Sequence, residues 1–172
     1  MKRIFLLSGL AFFILFLFSY ISRAETKVGE TAPAFKATDE ENKAVDLKNL
    51  RGKWVVLYFY PKDDTPGCTI EAKEFTELYE EFLQNNAQVY GISTDTNESH
   101  CDFRDKYELK VPLISDEEHE IMSLYGVDIS DGYASRDTIV ISPSGEVTKI
   151  YRGVKPAGHA KEVLDFIKDN QT

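Results

Sequence analysis

The chain has 172 residues and a formal net charge of −9, and its pI of about 4.9 excludes a general nucleic-acid binder, whose surface needs a basic patch. A hydrophobic content of 42% with 28% charged residues is ordinary globular usage and excludes a disordered chain. Two cysteines are too few for a disulfide scaffold or a four-cysteine zinc site.

The first 24 residues stand apart. Lys2 and Arg3 form a positive start, Ile4 to Ile21 is an uncharged and mostly apolar run, and Ser22-Arg23-Ala24 offers small residues around a cleavage point. This is the layout of a secretory signal peptide. The run exceeds the usual signal core of ~7–15 residues and just reaches the ~18 that can span a bilayer. Two readings stay open: a cleaved signal peptide, with Glu25 as the new N-terminus, or an uncleaved N-terminal membrane anchor. Both make residues 25–172 an exported domain, periplasmic or tethered on the extracytoplasmic side. Without the leader the charge balance is 17 positive against 29 negative, so the domain is more acidic than the whole chain.

From residue 25 the chain enters loosely through Pro33. Phe35 to Leu47 predicts two short strands around a polar DEEN turn, and Arg51-Gly52 punctuates. Val55 to Tyr60, VVLYFY, is a continuous apolar run and predicts a strand buried on both faces, ended by Pro61. Thr65-Pro66-Gly67-Cys68 opens a helix, because Thr is a favoured N-cap and Pro a favoured first helical residue. Its apolar stripe runs through Phe75, Leu78, Tyr79, Phe82 and Leu83. Stepped back from Phe75, the same stripe reaches Glu71, Ala72 and then Cys68, so Cys68 and Glu71 share the inward face.

Ala87 to Ile92 predicts a second buried strand. Residues 97–108 form a helix with His100, Phe103 and Tyr107 on one face. Leu113–Ser115 is a short strand and Glu117 to Tyr125 a short helix. Asp137–Ser142 and Glu146–Tyr151 flank Pro143-Ser144-Gly145 as a β-hairpin, and Ala160–Lys168 closes the chain as a helix. The order β-α-β-α-β, hairpin, helix predicts one α/β domain with a mixed sheet.

The chemistry gathers at the start of the first helix. The thiolate, not the thiol, is the nucleophile. A helix N-terminus carries partial positive charge and unpaired N–H groups, which favour an anion in the first turn and can receive an incoming oxygen. On these residues alone, a simple cap with Cys68 as a small core residue remains an equal alternative.

The segment YFYPKDDTPGCTIEAKEF resembles the active-site stretch of peroxiredoxins, whose Pro-x-x-x-Thr-x-x-Cys motif falls on Pro61, Thr65 and Cys68. The wording around it is similar to the Q branch, also called bacterioferritin comigratory protein. Further likeness lies in GISTD at 91–95, LISDEEH at 113–119 and RDTIVISPSGEV at 136–147. The resemblance implies a thioredoxin fold in its peroxiredoxin variant, with a central mixed β-sheet flanked by helices. It implies a thiol-dependent peroxidase that reduces hydrogen peroxide and organic hydroperoxides without metal, flavin or haem. A thioredoxin-like protein or a small thiol would recycle it. Cys68 would be the peroxidatic cysteine, Thr65 would hydrogen-bond the peroxide, and Pro61 would shield the thiolate from water. Arg136 would stabilise the thiolate and the transition state, and Glu71 would orient Arg136. The rival class is a non-catalytic redox-sensing or binding module on the same fold.

The chain departs from the commonest pattern of that branch. Many members carry a resolving cysteine five residues after the first, where this chain has Lys73. Some relatives place it in the second helix, which makes Cys101 the resolving candidate; the alternative is an unused thiol with resolution by an external one. Helical geometry sets Cys101 off the stripe of His100, Phe103 and Tyr107 and predicts an accessible side chain. No C-x-x-C and no Gly-rich phosphate loop is present, and the three histidines show no ligand spacing. The acidic run Asp116-Glu117-Glu118 reads as a solvated helix start.

Overall fold

The computed structural model describes residues 26–171. The proposed leader, residues 1–24, lies outside them. Among the described residues no helix is long and apolar enough to cross a membrane.

The long apolar run becomes β3 (Trp54–Phe59), which sits in the middle of a five-stranded sheet. Two short strands precede it, β1 (Lys36–Thr38) and β2 (Ala44–Asp46), paired as an antiparallel hairpin. On one side of β3 lie β4 (Ala87–Ser93) and β5 (Leu113–Ser115), both parallel to their neighbours. On the other side lie β8 (Asp137–Ile141) and β9 (Val147–Tyr151), both antiparallel. The strand order is β5-β4-β3-β8-β9, so the sheet is mixed and changes character at β3.

Every residue of β3 is buried because both faces of the sheet are covered. Trp54, Val56 and Tyr58 face a core shared with α1 (Pro66–Glu77), α3 (Asn97–Tyr107) and α5 (His159–Asp169). Val55, Leu57 and Phe59 face a second core with Phe35, Val45 and the short α4 (Glu120–Leu124). Side chains alternate across a strand with period two, so one sequence run supplies both cores. Gly91 is required where β4 passes Tyr58: a Cβ there would stand 2.5 Å from the tyrosine hydroxyl.

Three expectations are corrected. The first helix does not run unbroken through Leu83. It ends at Leu78 (φ −93°, ψ 1°) and restarts as α2 (Tyr79–Gln84). Phe82, two turns after Phe75, stays fully buried across the break, while Leu83 turns outward at 42% exposure. The helix expected from Glu117 begins only at Glu120, since His119 has a positive φ of 59°. Asp116 is buried rather than solvated: its carboxylate accepts the N–H groups of Ile121 at 3.1 Å and Met122 at 2.8 Å. Two elements escaped the sequence, a 3-10 turn at Leu47–Leu50 and a small hairpin of β6 (Ile129–Ser130) with β7 (Tyr133–Ala134).

Candidate active site

The end of β3 delivers the chain to the site. Tyr60 still donates to Ile92 O at 3.1 Å, and Pro61, which has no N–H to continue the ladder, is half-buried just beyond. The connecting turn is fixed by Asp63. Its carboxylate accepts from Tyr60 OH at 2.7 Å and from Ser99 Oγ at 2.8 Å, and pairs with His100 Nδ1 at 2.8 Å. Its backbone N–H donates to Asp95 Oδ2 at 2.8 Å. Asp64, at φ 55°, accepts from Lys106 Nζ and Tyr107 OH of α3.

Thr65 takes the extended conformation of an N-cap (φ −91°, ψ 152°), but its hydroxyl does not cap the helix. It donates instead to Lys62 O at 3.0 Å. Pro66 contributes no N–H, and with the Thr65 hydroxyl turned to Lys62 the first-turn donors of Gly67 and Cys68 have no side-chain cap among the described residues. Cys68 lies in this turn, its side chain buried against the sheet.

Arg136 comes from a distant part of the sequence. It immediately precedes β8, and the antiparallel register pairs Asp137 with Phe59, the last residue of β3. The start of β8 therefore lies beside the end of β3, where α1 begins. The approach is held on both sides: Arg136 O accepts from Val154 N at 2.7 Å, and Asp137 accepts from Arg152 Nη1 at 2.8 Å and Gly153 N at 3.0 Å. The Arg136 side chain then reaches back. Nη2 donates to Cys68 Sγ at 3.3 Å and Nη1 donates to Glu71 Oε2. Gly67 lies under this guanidinium; a Cβ on it would stand 3.3 Å from Arg136 Nη2.

Glu71 has no exposed surface, as its place on the inward stripe requires. Its Oε1 is buried without a hydrogen-bond partner among the described residues. Burial pushes the carboxyl from 4.5 up to about 7, against the pull of the adjacent Arg136. Cys68, Glu71 and Arg136 thus form one contact set, with Thr65 at the helix start and Pro61 before it.

Cys101 is corrected in part. It is half-buried rather than freely accessible, because its Sγ donates to Glu40 O at 3.4 Å beneath the β1–β2 turn. Both cysteines are free thiols. Sequence reasoning missed Asp63, Asp137 and Gly67. Gly67 was visible between Pro66 and Cys68, but reading it as part of a cap hid its contact with a side chain 69 positions away.

Residues 28–150 match the model of the AhpC/TSA family. The chain is 35% identical over 150 residues to peroxiredoxin Bcp of Bacillus subtilis, covering 83% of this chain and 96% of that one. The chain belongs to the AhpC/TSA family, in its peroxiredoxin Q branch. A solved cysteine-to-serine mutant of the Xylella fastidiosa PrxQ superimposes with a TM-score of 0.80 at 32% identity, covering 85% of this chain and 98% of that chain. A Xanthomonas campestris bacterioferritin comigratory protein gives a TM-score of 0.74 at 34% identity, covering 78% of this chain and 90% of that one. The fold is thus the thioredoxin fold in its peroxiredoxin form. As a peroxiredoxin the chain is a thiol peroxidase, which reduces peroxides through a peroxidatic cysteine at the expense of a thiol reductant. The non-catalytic reading is set aside.

Proposed function

We propose that Cys68 is the peroxidatic cysteine and that Thr65, Arg136, Glu71 and Pro61 form its machinery. The carrying observation is the 3.3 Å hydrogen bond from Arg136 Nη2 to Cys68 Sγ at an uncapped helix start. The thiolate attacks one peroxide oxygen in line with the O–O bond. That oxygen stays on sulfur as a sulfenic acid with its proton, and the departing oxygen leaves as hydroxide or alkoxide and takes a proton from solvent to become water or an alcohol. Negative charge grows on the departing oxygen, near Arg136 and the N–H groups of Gly67 and Cys68. Thr65 spends its own hydrogen on Lys62 O, so its oxygen is available to accept the peroxide O–H and orient it. Glu71 holds the guanidinium from behind, and Pro61 limits water access to sulfur.

The sulfenic acid then condenses with Cys101 of the same chain, giving a disulfide and water. Hydrogen peroxide and organic hydroperoxides are the substrates. Alkyl peroxide reduction is an activity of the Xanthomonas campestris relative, which supports the organic class here. A thioredoxin-like protein or a small thiol restores both cysteines. The leader pattern supports export, with the enzyme acting in the periplasm or tethered to the outer side of the membrane.

Intact-mass analysis after one equivalent of peroxide tests the assignment. Wild type should lose two hydrogens, Cys101→Ser should gain one oxygen, and Cys68→Ser should remain unchanged. An oxidised mass for Cys68→Ser would overturn the role of Cys68. One added oxygen or a covalent dimer in wild type would overturn that of Cys101.

A further inference from the structure

We propose that Glu40 is a positioning residue for the resolving step: it holds Cys101 and its helix against the β1–β2 turn, and so sets how often the sulfenic acid is resolved before a second peroxide reaches it. The inference rests on the reading of Cys101 as the resolving cysteine.

Glu40 is buried although charged, and each of its polar groups is engaged. Its N–H donates to Leu113 O at 3.0 Å and its Oε2 accepts from Leu113 N at 2.7 Å, which fixes it to β5. Its Oε1 accepts from Arg104 Nη1 at 2.9 Å, and its carbonyl accepts from Cys101 Sγ at 3.4 Å, which fixes α3 to it. Arg104 and Cys101 are three residues apart and share a helix face. The turn itself is stiff, since Asp39 Oδ1 accepts from Glu41 N at 3.0 Å and Lys43 N at 2.8 Å, and Asp39 bridges to Ile114. Glu40 is therefore a rigid post to which the Cys101 turn of α3 is tied twice.

A disulfide requires Cα atoms about 4.4–6.8 Å apart. Cys68 is bonded to Arg136 and Cys101 to the hairpin turn, so the two sulfurs are engaged with different parts of the fold. Cys101 can attack only after leaving the Glu40 carbonyl, and that turn of α3 moves only if Arg104 lets go. In the step itself the Cys101 sulfur forms a bond to the Cys68 sulfur as the S–O bond of the sulfenic acid breaks. The hydroxyl departs with the thiol proton as water, Cys101 is oxidised and the Cys68 sulfur reduced, and no external oxidant is used. The competing event is attack of a second peroxide on the sulfenic acid, which gives the sulfinic acid.

The test uses the reduced full chain with Glu40→Gln, which leaves Arg104 its second partner Glu41 Oε1 at 3.0 Å, and, separately, Arg104→Gln, which removes both pairs. Rapid-quench mass analysis with hydrogen peroxide reads sulfenic acid formation, disulfide formation and the sulfinic fraction. Sulfenic acid formation should stay at the wild-type rate. Disulfide formation should accelerate roughly tenfold, the order expected for loss of one partly screened charge-assisted hydrogen bond. The peroxide concentration that converts half of Cys68 to sulfinic acid should rise by the same factor. The packing variant Val163→Ala, at a fully buried position of α5, should leave the partition unmoved. Unchanged partition in whichever latch variant folds overturns the proposal, and so does an equal shift in Val163→Ala. A wild type that forms no Cys68–Cys101 disulfide overturns the reading beneath it, a distinct result.

Discussion

Replacing Glu71 by glutamine removes a carboxyl group with no exposed surface while keeping its shape and one acceptor for Arg136. In the folded chain burial raises this carboxyl from 4.5 to about 7. Between those values the folded state keeps a proton that the unfolded chain has lost. Stability from this group is therefore fully present below the lower value, falls as pH rises through the window, and is level again above the upper one. The linked free energy is about 3 kcal/mol. Glutamine cannot titrate, so the stability of Glu71→Gln relative to wild type should rise by about 3 kcal/mol between about pH 4.5 and pH 7.5. Urea unfolding of the reduced proteins across that range measures it. Two stability curves that stay parallel within about 1 kcal/mol would refute the argument, because the carboxyl would then titrate as in the unfolded chain. The same variant reports on positioning. Above about pH 7.5, where the wild-type carboxyl is ionised, glutamine leaves only a neutral acceptor behind the guanidinium, and peroxide reactivity should fall by roughly 10- to 100-fold, with a smaller difference below about pH 7.

Cys68→Ser should abolish turnover with peroxide and dithiothreitol while leaving the circular dichroism spectrum intact; residual turnover within about tenfold of wild type would remove Cys68 from the chemistry. Thr65→Val should cost only about 1 kcal/mol of stability, the worth of the Lys62 hydrogen bond, but roughly 10²–10³ in the rate of sulfenic acid formation. Thr65→Ser should retain most of that rate, and equal rates for the two variants would leave the hydroxyl without a role. Gly67→Ala gains up to ~1 kcal/mol of helix propensity, yet sets a methyl 3.3 Å from both Arg136 Nη2 and Pro156 Cγ, of which the long arginine side chain yields more easily. Peroxide reactivity should drop about tenfold with thermal stability unchanged or raised, the signature of a displaced guanidinium. N-terminal sequencing of protein from its own cells should start at Glu25; retention of residues 1–24 would favour the anchor.

The sequence declared those parts whose causes are local. β3 was readable because a strand buried on both faces must be apolar throughout, and the start of α1 because Thr65-Pro66 is a local stop and start. The inward position of Glu71 followed from counting back along one helix. What stayed hidden depends on partners distant in sequence or on backbone geometry. The break at Leu78 leaves the apolar spacing almost intact, so the stripe reads as a single helix. The start of α4 is set by the Asp116 carboxylate reaching forward to Ile121 and Met122, which an acidic run does not advertise. The burial of Cys101 depends on Glu40, 61 positions earlier. Arg136 was found by likeness to a family; the physical reason for its position, the pairing of Asp137 with Phe59, exists only once the sheet is built.

That pairing also decides where the chain can tolerate a change of length. A slip of one residue between β3 and β8 would move Arg136 by about 3.4 Å and turn every side chain of β8 to the opposite face. The guanidinium would lose Cys68 and Glu71 together, so an insertion just before Asp137 would part the residues proposed for the reaction. The far end of the same strand is different. Its ladder with β9 already contains an irregularity between Val140 and Ile141, where the pairing jumps from Lys149 to Val147. Slack stored there lies next to the Ser142–Gly145 turn, about 17 Å of strand away from Arg136. Lengthening that turn by one residue would disturb its contacts with Ala32, Arg51 and Gly52 but leave the arginine in place. The two ends of this strand thus resist a change of length for different reasons: at one the register places the arginine, and at the other the hairpin tip anchors the entering segment, where Gly145 O accepts from Ala32 N at 3.0 Å and Pro143 O from Gly52 N at 2.9 Å.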